Sequence, residues 1–118
     1  MEKTVAILGT KYTIETHKVS EDEKLKNNGW VGYCGEISKK IIIADMSEKE
    51  YFELDEMEQE TYRKETLRHE IMHAFLDESG LSDCTGSSEH WAKNEEMVDW
   101  YAIQSPKIFK VFQELNIL

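Results

Sequence analysis

Two of the four histidines in the chain lie four residues apart, and a glutamate directly follows the first of them. They belong to the stretch TLRHEIMHAFLDESG. Four residues at about 100° each return a helix to nearly the same face, so His69 and His73 can converge on one ion. Glu70 would lie beside that ion, where a carboxylate can act as a general base. This H-E-x-x-H arrangement is typical of zinc sites that activate a water molecule.

A third ligand must come from elsewhere in the chain, because catalytic zinc takes three protein ligands and keeps one position open. The segment KNEEMVDW carries two acids four residues apart, Glu95 and Asp99. We expect Glu95 to bind the metal and Asp99 to accept a hydrogen bond from the other ring nitrogen of one histidine. Glu96 and His90 are the second and third candidates for the third ligand. Glu95 is preferred because Asp99 lies on the same helical face.

The chemistry that such a site supports is amide hydrolysis. Zinc lowers the pKa of a water molecule toward neutrality and polarises a carbonyl group. Glu70 would take the proton from the water and pass it to the leaving amine. Tyr101 and His90 are candidates to stabilise the oxyanion that forms on the substrate.

The elements that must position these residues divide the chain into a strand half, residues 1–46, and a helical half, residues 47–118. TVAILGTKYTIETHKV alternates apolar and polar residues around a turn signal at 9–11, which predicts short antiparallel strands. GWVGYCGEI and KKIIIAD follow and predict a hairpin. Because 41–43 is an unbroken run of isoleucine, we expect both faces of that strand to be covered.

Two helix starts are predicted in the acidic middle of the chain. Ser47 and Asp55 each have a glutamate three residues later, the spacing of a capping box. They predict a short helix near 48–54 and a longer one over about 57–78. Gly80 suits the left-handed conformation that often ends a helix.

The last part of the chain predicts a loop and two more helices. LSDCTGSSEH, at 81–90, is rich in small polar residues. A helix is expected from about Trp91 to Gln104, because the residue before Pro106 resists helical geometry. Pro106 can open a last short helix that ends near Leu115.

Length and charge limit the classes of function. A chain of 118 residues predicts a single domain over 1–118. Its 24 acidic and 14 basic residues give a net charge of -10, which disfavours nucleic acid and anionic membranes as partners. No apolar stretch approaches the roughly 20 residues that cross a bilayer, and the start is too polar for a secretion signal. We therefore expect a cytoplasmic protein with Cys34 and Cys84 reduced.

TLRHEIMHAFLDESG followed by NEEMVDWYAIQSPKI resembles the small gluzincin-type zinc metallopeptidases of the ImmA/IrrE kind, particularly short proteins encoded in phages and prophages of Gram-positive bacteria. The resemblance covers roughly residues 60 to 110. It implies zinc bound by His69, His73 and Glu95, with Glu70 as the catalytic base and Asp99 as the acid that orients a ligand. It also implies a curled antiparallel sheet packed against the motif helix, with an edge strand that holds an extended peptide.

We therefore predict an α+β domain in which a small curled antiparallel sheet packs on the active-site helix, with two further C-terminal helices. The predicted function is zinc-dependent hydrolysis of a protein or peptide substrate. One alternative is a non-catalytic, phage-encoded interaction module that zinc stabilises, since a small core without a disulfide gains from such a link. The other alternative is a metal-free acidic protein that binds a basic partner.

Overall fold

A computed structural model of the chain describes residues 3–81 and 94–117. Four strands form one sheet in the order β1-β2-β4-β3. They are β1 (Lys3–Ile7), β2 (Thr10–His17), β3 (Gly32–Gly35) and β4 (Lys40–Ala44). With the helices that follow, this architecture confirms the predicted α+β class.

The two predicted antiparallel pairs are present, but the sheet is mixed and not wholly antiparallel. β1 and β2 join through a tight turn in which Leu8 and Gly9 have φ angles of 48° and 86°. β3 and β4 form the predicted hairpin. β2 and β4 run parallel, with Ile14 opposite Ile41. Alternating apolar and polar residues and turn signals predict pairing between strands that are consecutive in sequence. β2 and β4 are not consecutive, so these signals could not predict their pairing.

A short helix, α1 (Glu23–Asn28), lies in the crossover between β2 and β3 and was not predicted. The Asp22 carboxylate accepts a hydrogen bond from Leu25 N at 3.1 Å and so caps the helix. Gly29 ends it with a φ of 66°. Six residues are too few for a helical period to show in the sequence, and only the cap and the glycine mark this helix.

Two long helices follow the sheet. α2 (Glu56–Glu78) begins at the predicted capping box, in which Asp55 Oδ1 accepts from Glu58 N at 2.8 Å and Glu58 Oε1 accepts from Asp55 N at 2.9 Å. Gly80 follows its end with a φ of 83°. α3 (Glu95–Glu114) begins at Asn94, whose side chain accepts from Met97 N at 3.0 Å.

The predicted short helix at 48–54 is wrong: the segment forms turns, and the Ser47 hydroxyl that was expected to cap the helix bonds to a preceding residue. The Ser47 hydroxyl donates to Asp45 Oδ1 at 2.6 Å and does not cap a following turn. The Glu48 carboxylate accepts from the Ser20 hydroxyl at 2.6 Å and from Val19 N. The turns of this segment hold the start of the crossover against the sheet.

The predicted helix break before Pro106 is also wrong, because α3 runs through the proline as one helix. A single helix thus stands where two were expected. The predicted loop from 82 onward and the predicted helix start at Trp91 lie outside the described residues.

The sheet is covered on both faces, as the isoleucine run predicted. One face packs against α2 in a cluster that contains Tyr12, Ile41 and Ile43. The other face packs against the crossover, where Leu25 meets Ile42. The core of the molecule is therefore two thin layers on either side of β4, and α2 is fixed to the sheet along one of its faces. Among the described residues, no helix is long and apolar enough to cross a bilayer.

Candidate metal centre

α2 carries both motif histidines on the face that does not enter the sheet core. Their rings lie 4.8 Å apart between centroids at an interplanar angle of 70°. Nε2 of His73 is 3.2 Å from Nε2 of His69. The two nitrogens therefore point toward one place, which is what a spacing of four on a helix produces.

α3 runs antiparallel to α2 and brings two carboxylates to this place. Oε1 of Glu95 lies 2.6 Å from Nε2 of His73 and 3.6 Å from Nε2 of His69. Oδ1 of Asp99 lies 2.6 Å from Nδ1 of His69. The two helices are held by a small apolar cluster in which Leu76 and Val98 are buried.

Two of the three separations among the converging atoms match a tetrahedral zinc ligand set, and the third is a hydrogen-bond distance between His73 and Glu95 that would have to widen when a cation binds. Ligand atoms at about 2.0–2.1 Å from a tetrahedral zinc lie about 3.3 Å apart. The separations among Nε2 of His69, Nε2 of His73 and Oε1 of Glu95 are 3.2, 3.6 and 2.6 Å. Two imidazoles and one carboxylate also match the donor preferences of zinc.

Asp99 fixes the tautomer of His69. Because its carboxylate can only accept, the Nδ1 atom of His69 carries the proton and donates it to Asp99. The Nε2 atom of His69 then keeps its lone pair for a cation. Histidines that bind a metal are commonly oriented by a carboxylate in this way.

Glu70 lies beside the converging atoms and not among them. Its Oε2 is 3.8 Å from Nε2 of His69, and the candidate ligand atoms of His69, Glu70 and His73 all lie within 4.8 Å of one another. Its side chain is only 8% exposed, whereas that of Glu95 is 58% exposed. Burial raises the pKa of Glu70 to about 7; Glu95 and Asp99 act in the same direction, and His69 opposes them.

An open groove of about 780 Å³ runs past these residues. The end of α1 and β3 form one wall, α2 forms the floor, and Glu95, Asp99 and Ile103 of α3 form the other wall. The close approach of β3 to α2 depends on Gly32, where an added Cβ would lie 2.9 Å from the carbonyl oxygen of Ile42 and 3.0 Å from Cγ2 of Thr66.

Most residues predicted for the site meet, but some do not. His69, Glu70, His73, Glu95 and Asp99 all line the groove, whereas Glu96 and Tyr101 are absent from its lining. The side chain of Tyr101 instead packs edge-on against Trp100, with ring centroids 5.5 Å apart. The alternative ligand His90 lies outside the described residues.

Sequence reasoning missed the apolar part of the groove, to which Trp30, Tyr62 and Ile103 contribute. Tyr62 had a readable signal, because it lies seven residues before His69 and so two turns away on the same helical face. No such sequence signal marks Trp30 and Ile103, because their approach to the site depends on how β3 and α3 pack.

Comparisons of the chain with protein-family models, with curated proteins and with solved structures found no match. The candidate centre is therefore interpreted from its own geometry.

Proposed function

We propose that the chain is a zinc-dependent metallopeptidase that hydrolyses peptide bonds in an extended protein or peptide segment. The observation that carries the proposal is the convergence of His69, His73 and Glu95 within 3.6 Å beside a buried glutamate in an open groove. The resemblance of the H-E-x-x-H segment to ImmA/IrrE-like metallopeptidases supports the same function. When bound, zinc lowers the pKa of a water molecule toward 7 and polarises the substrate carbonyl.

The protein residues divide the remaining work. Glu70 acts as general base and then as general acid: it removes a proton from the attacking water and delivers it to the leaving amine. Its buried position makes it a stronger base than an exposed carboxylate, and a base with a pKa near the working pH is the most effective. Asp99 holds His69 in the tautomer and orientation that metal binding needs.

The substrate would bind along β3. Within the described part of the chain, β3 pairs only with β4, so its second edge offers backbone N–H and C=O groups to an extended peptide. Residues 29–34 line the groove together with Glu70, so a peptide that pairs with this edge passes the candidate base. Such pairing would recognise the backbone of the substrate, and the groove walls would contact its side chains.

The deciding experiment compares the wild type with Glu70→Gln and with Glu60→Gln, an exposed position on the same helix that pairs with Arg63. We expect about one zinc per chain in all three proteins. We expect the wild type and Glu60→Gln to cleave an unstructured peptide library, and Glu70→Gln to lose at least 100-fold in rate, within the range of general acid–base catalysis. Products are identified by mass spectrometry.

Each alternative function predicts a different result. Zinc in all three proteins without cleavage by the wild type would favour the zinc-stabilised interaction module. Absence of zinc, under conditions that load other zinc proteins, would exclude both zinc functions and leave the acidic binding protein. Iron in place of zinc would also contradict the proposal, because two histidines and one carboxylate serve iron oxygenases as well.

A further inference from the structure

Arg68, the residue before His69, links α2 to α3 where α3 lacks one of its own hydrogen bonds. Pro106 has no backbone N–H, so the carbonyl of Ala102 receives no hydrogen bond from the residue four positions later. Nε of Arg68 donates to this carbonyl instead. Ala102 is 1% exposed, so its carbonyl has little access to water that could replace the arginine.

Among the described residues, this link is the first of the three shortest polar contacts between the helices, which follow one another in antiparallel order; His69 and Glu95 make a longer one at 3.6 Å. The three contacts are Arg68 with Ala102, His69 with Asp99, and His73 with Glu95. The Arg68 contact lies one residue from a candidate ligand and one turn from Asp99. It is also the one contact of the three that contains no candidate ligand or orienting acid, so its two groups do not compete with a cation for each other.

In the described residues, few apolar side chains are buried between the two helices. Val98 and Ala102 are the buried residues of α3, and both have short side chains, so little side-chain shape is available to fix the register of the helix. A shift of one residue moves a helix by 1.5 Å along its axis. That shift would exceed the tolerance of about 0.5 Å within which a ligand set works. A polar contact that fixes the register of α3 therefore also fixes the positions of its candidate ligands.

We propose that Arg68 is a positioning residue of the metal centre: through the carbonyl that Pro106 leaves free, it sets the register of α3 so that Glu95 and Asp99 meet the histidines. The inference rests on the zinc-binding part of the proposed function and not on peptide hydrolysis. Arg68 does not touch the candidate ligand atoms and acts only through the placement of α3.

The test measures zinc affinity by competition with a chelator for a matched pair of variants. Arg68→Gln keeps an N–H donor at the ε position, whereas Arg68→Met replaces it with a methyl group. We expect Arg68→Met to bind zinc about 10-fold more weakly, the lower end of the effect of residues that orient ligands, and Arg68→Gln to stay close to the wild type. Arg63→Met is the control, because Arg63 pairs with Glu60 on the same helix.

A further variant, at Pro106, distinguishes positioning of α3 from mere hydrogen bonding of the Ala102 carbonyl. Pro106→Ala supplies the missing N–H within α3. In the Arg68→Met background it should recover the melting temperature while zinc affinity stays weak, because the link between the helices is still missing.

Two results would overturn the inference: wild-type zinc affinity in Arg68→Met, or recovery of both affinity and melting temperature by Pro106→Ala. A wild type that binds zinc but cleaves nothing would refute the peptidase and leave the Arg68 inference standing. A wild type that binds no zinc would refute both.

Discussion

The environments of the two glutamates at the centre separate their roles. The side chain of Glu95 is largely exposed, whereas that of Glu70 is buried and burial raises its pKa to about 7. A buried carboxyl group with a raised pKa suits an acid–base role, whereas an exposed carboxylate suits the role of a metal ligand. The proposed function therefore assigns two roles to the same residue type at one centre.

The choice of Glu95 over its neighbour gives a direct prediction. Glu95→Ala should weaken zinc binding by 100-fold or more, because it removes one of three protein ligands, and Glu96→Ala should change it by less than about 3-fold, as expected for a charge outside the ligand set. Both variants remove one negative charge from the same turn of α3, so each controls for the other. Isothermal titration with zinc measures the difference, and a larger effect of Glu96→Ala would reassign the ligand.

His17 gives a pH dependence that is separate from the metal centre. Burial disfavours its charged form, but hydrogen bonds to Glu15 at 2.9 Å and to Asp22 at 2.7 Å outweigh burial and raise the pKa of His17. Tyr33 also donates to Asp22, at 2.8 Å, and Lys40 lies 3.3 Å from Glu15. The imidazolium thus ties β2 to the cap of α1.

A histidine whose pKa is higher in the folded state contributes stability that is complete below the unfolded pKa of about 6.5 and is lost as the pH rises through the folded value. We therefore expect His17→Gln to reduce the free energy of unfolding more at pH 6 than at pH 9. Urea unfolding of both proteins at the two pH values measures this. An equal reduction at both values would show that the charge on His17 does not contribute.

At the scale of elements, the width of the groove depends on the contact between β3 and α2. Gly32→Ala would place a methyl group against the backbone carbonyl of Ile42 and the side chain of Thr66, one turn before the motif. We expect a loss of about 1–3 kcal/mol in the free energy of unfolding, the usual cost of overpacking, together with weaker peptide binding.

Gly35→Ala is the matched control for this prediction. It lies in the same strand, and its nearest obstacle is the Ser38 hydroxyl at 2.1 Å, which rotates away at little cost. Denaturant unfolding should show a smaller loss for Gly35→Ala than for Gly32→Ala. Equal losses would mean that glycine is needed for strand conformation and not for the approach to α2.

Elements whose signals are local were predictable, and those that depend on distant partners were not. Three kinds of feature were predictable because each lies within one element or one turn. They are the capping box at Asp55, the hairpin of β3 with β4, and the spacing of four residues within each pair of site residues, His69 with His73 and Glu95 with Asp99. The parallel pairing of β2 with β4 has no local signal. Neither does the continuity of α3 through Pro106, because the donor that satisfies Ala102 is Arg68, 34 residues earlier in the chain.

At the scale of the whole molecule, the net charge of -10 is accompanied by an acidic lining of the groove in which the proposed substrate would bind. Among the described residues that line the groove, four are acids and none is lysine or arginine; the acids are Glu65, Glu70, Glu95 and Asp99. Even with Glu70 counted as neutral, the other three acids carry a formal charge of -3 against the +2 of a divalent ion, so the groove stays negative when the metal is bound. Such a groove attracts basic segments and repels acidic ones.

We therefore expect peptides with lysine or arginine near an apolar residue to bind more tightly than matched peptides with glutamate at the same position. The metal-loaded Glu70→Gln variant allows binding without cleavage to be followed by fluorescence anisotropy. One exposed charge pair contributes at most about 1 kcal/mol, so each basic residue should improve the Kd by up to about 5-fold.

The preference should shrink as salt is raised from 0.1 M to 1 M, because the screening length falls from about 10 Å to about 3 Å. Glu65→Gln should reduce it, since Glu65 lines the groove without belonging to the candidate ligand set, whereas Glu50→Gln, which removes the same charge from outside the groove lining, should leave it unchanged. Equal binding of basic and acidic peptides at low salt would show that the carboxylates of the groove serve the metal and its ligands alone, and that the shape of the apolar walls selects the substrate.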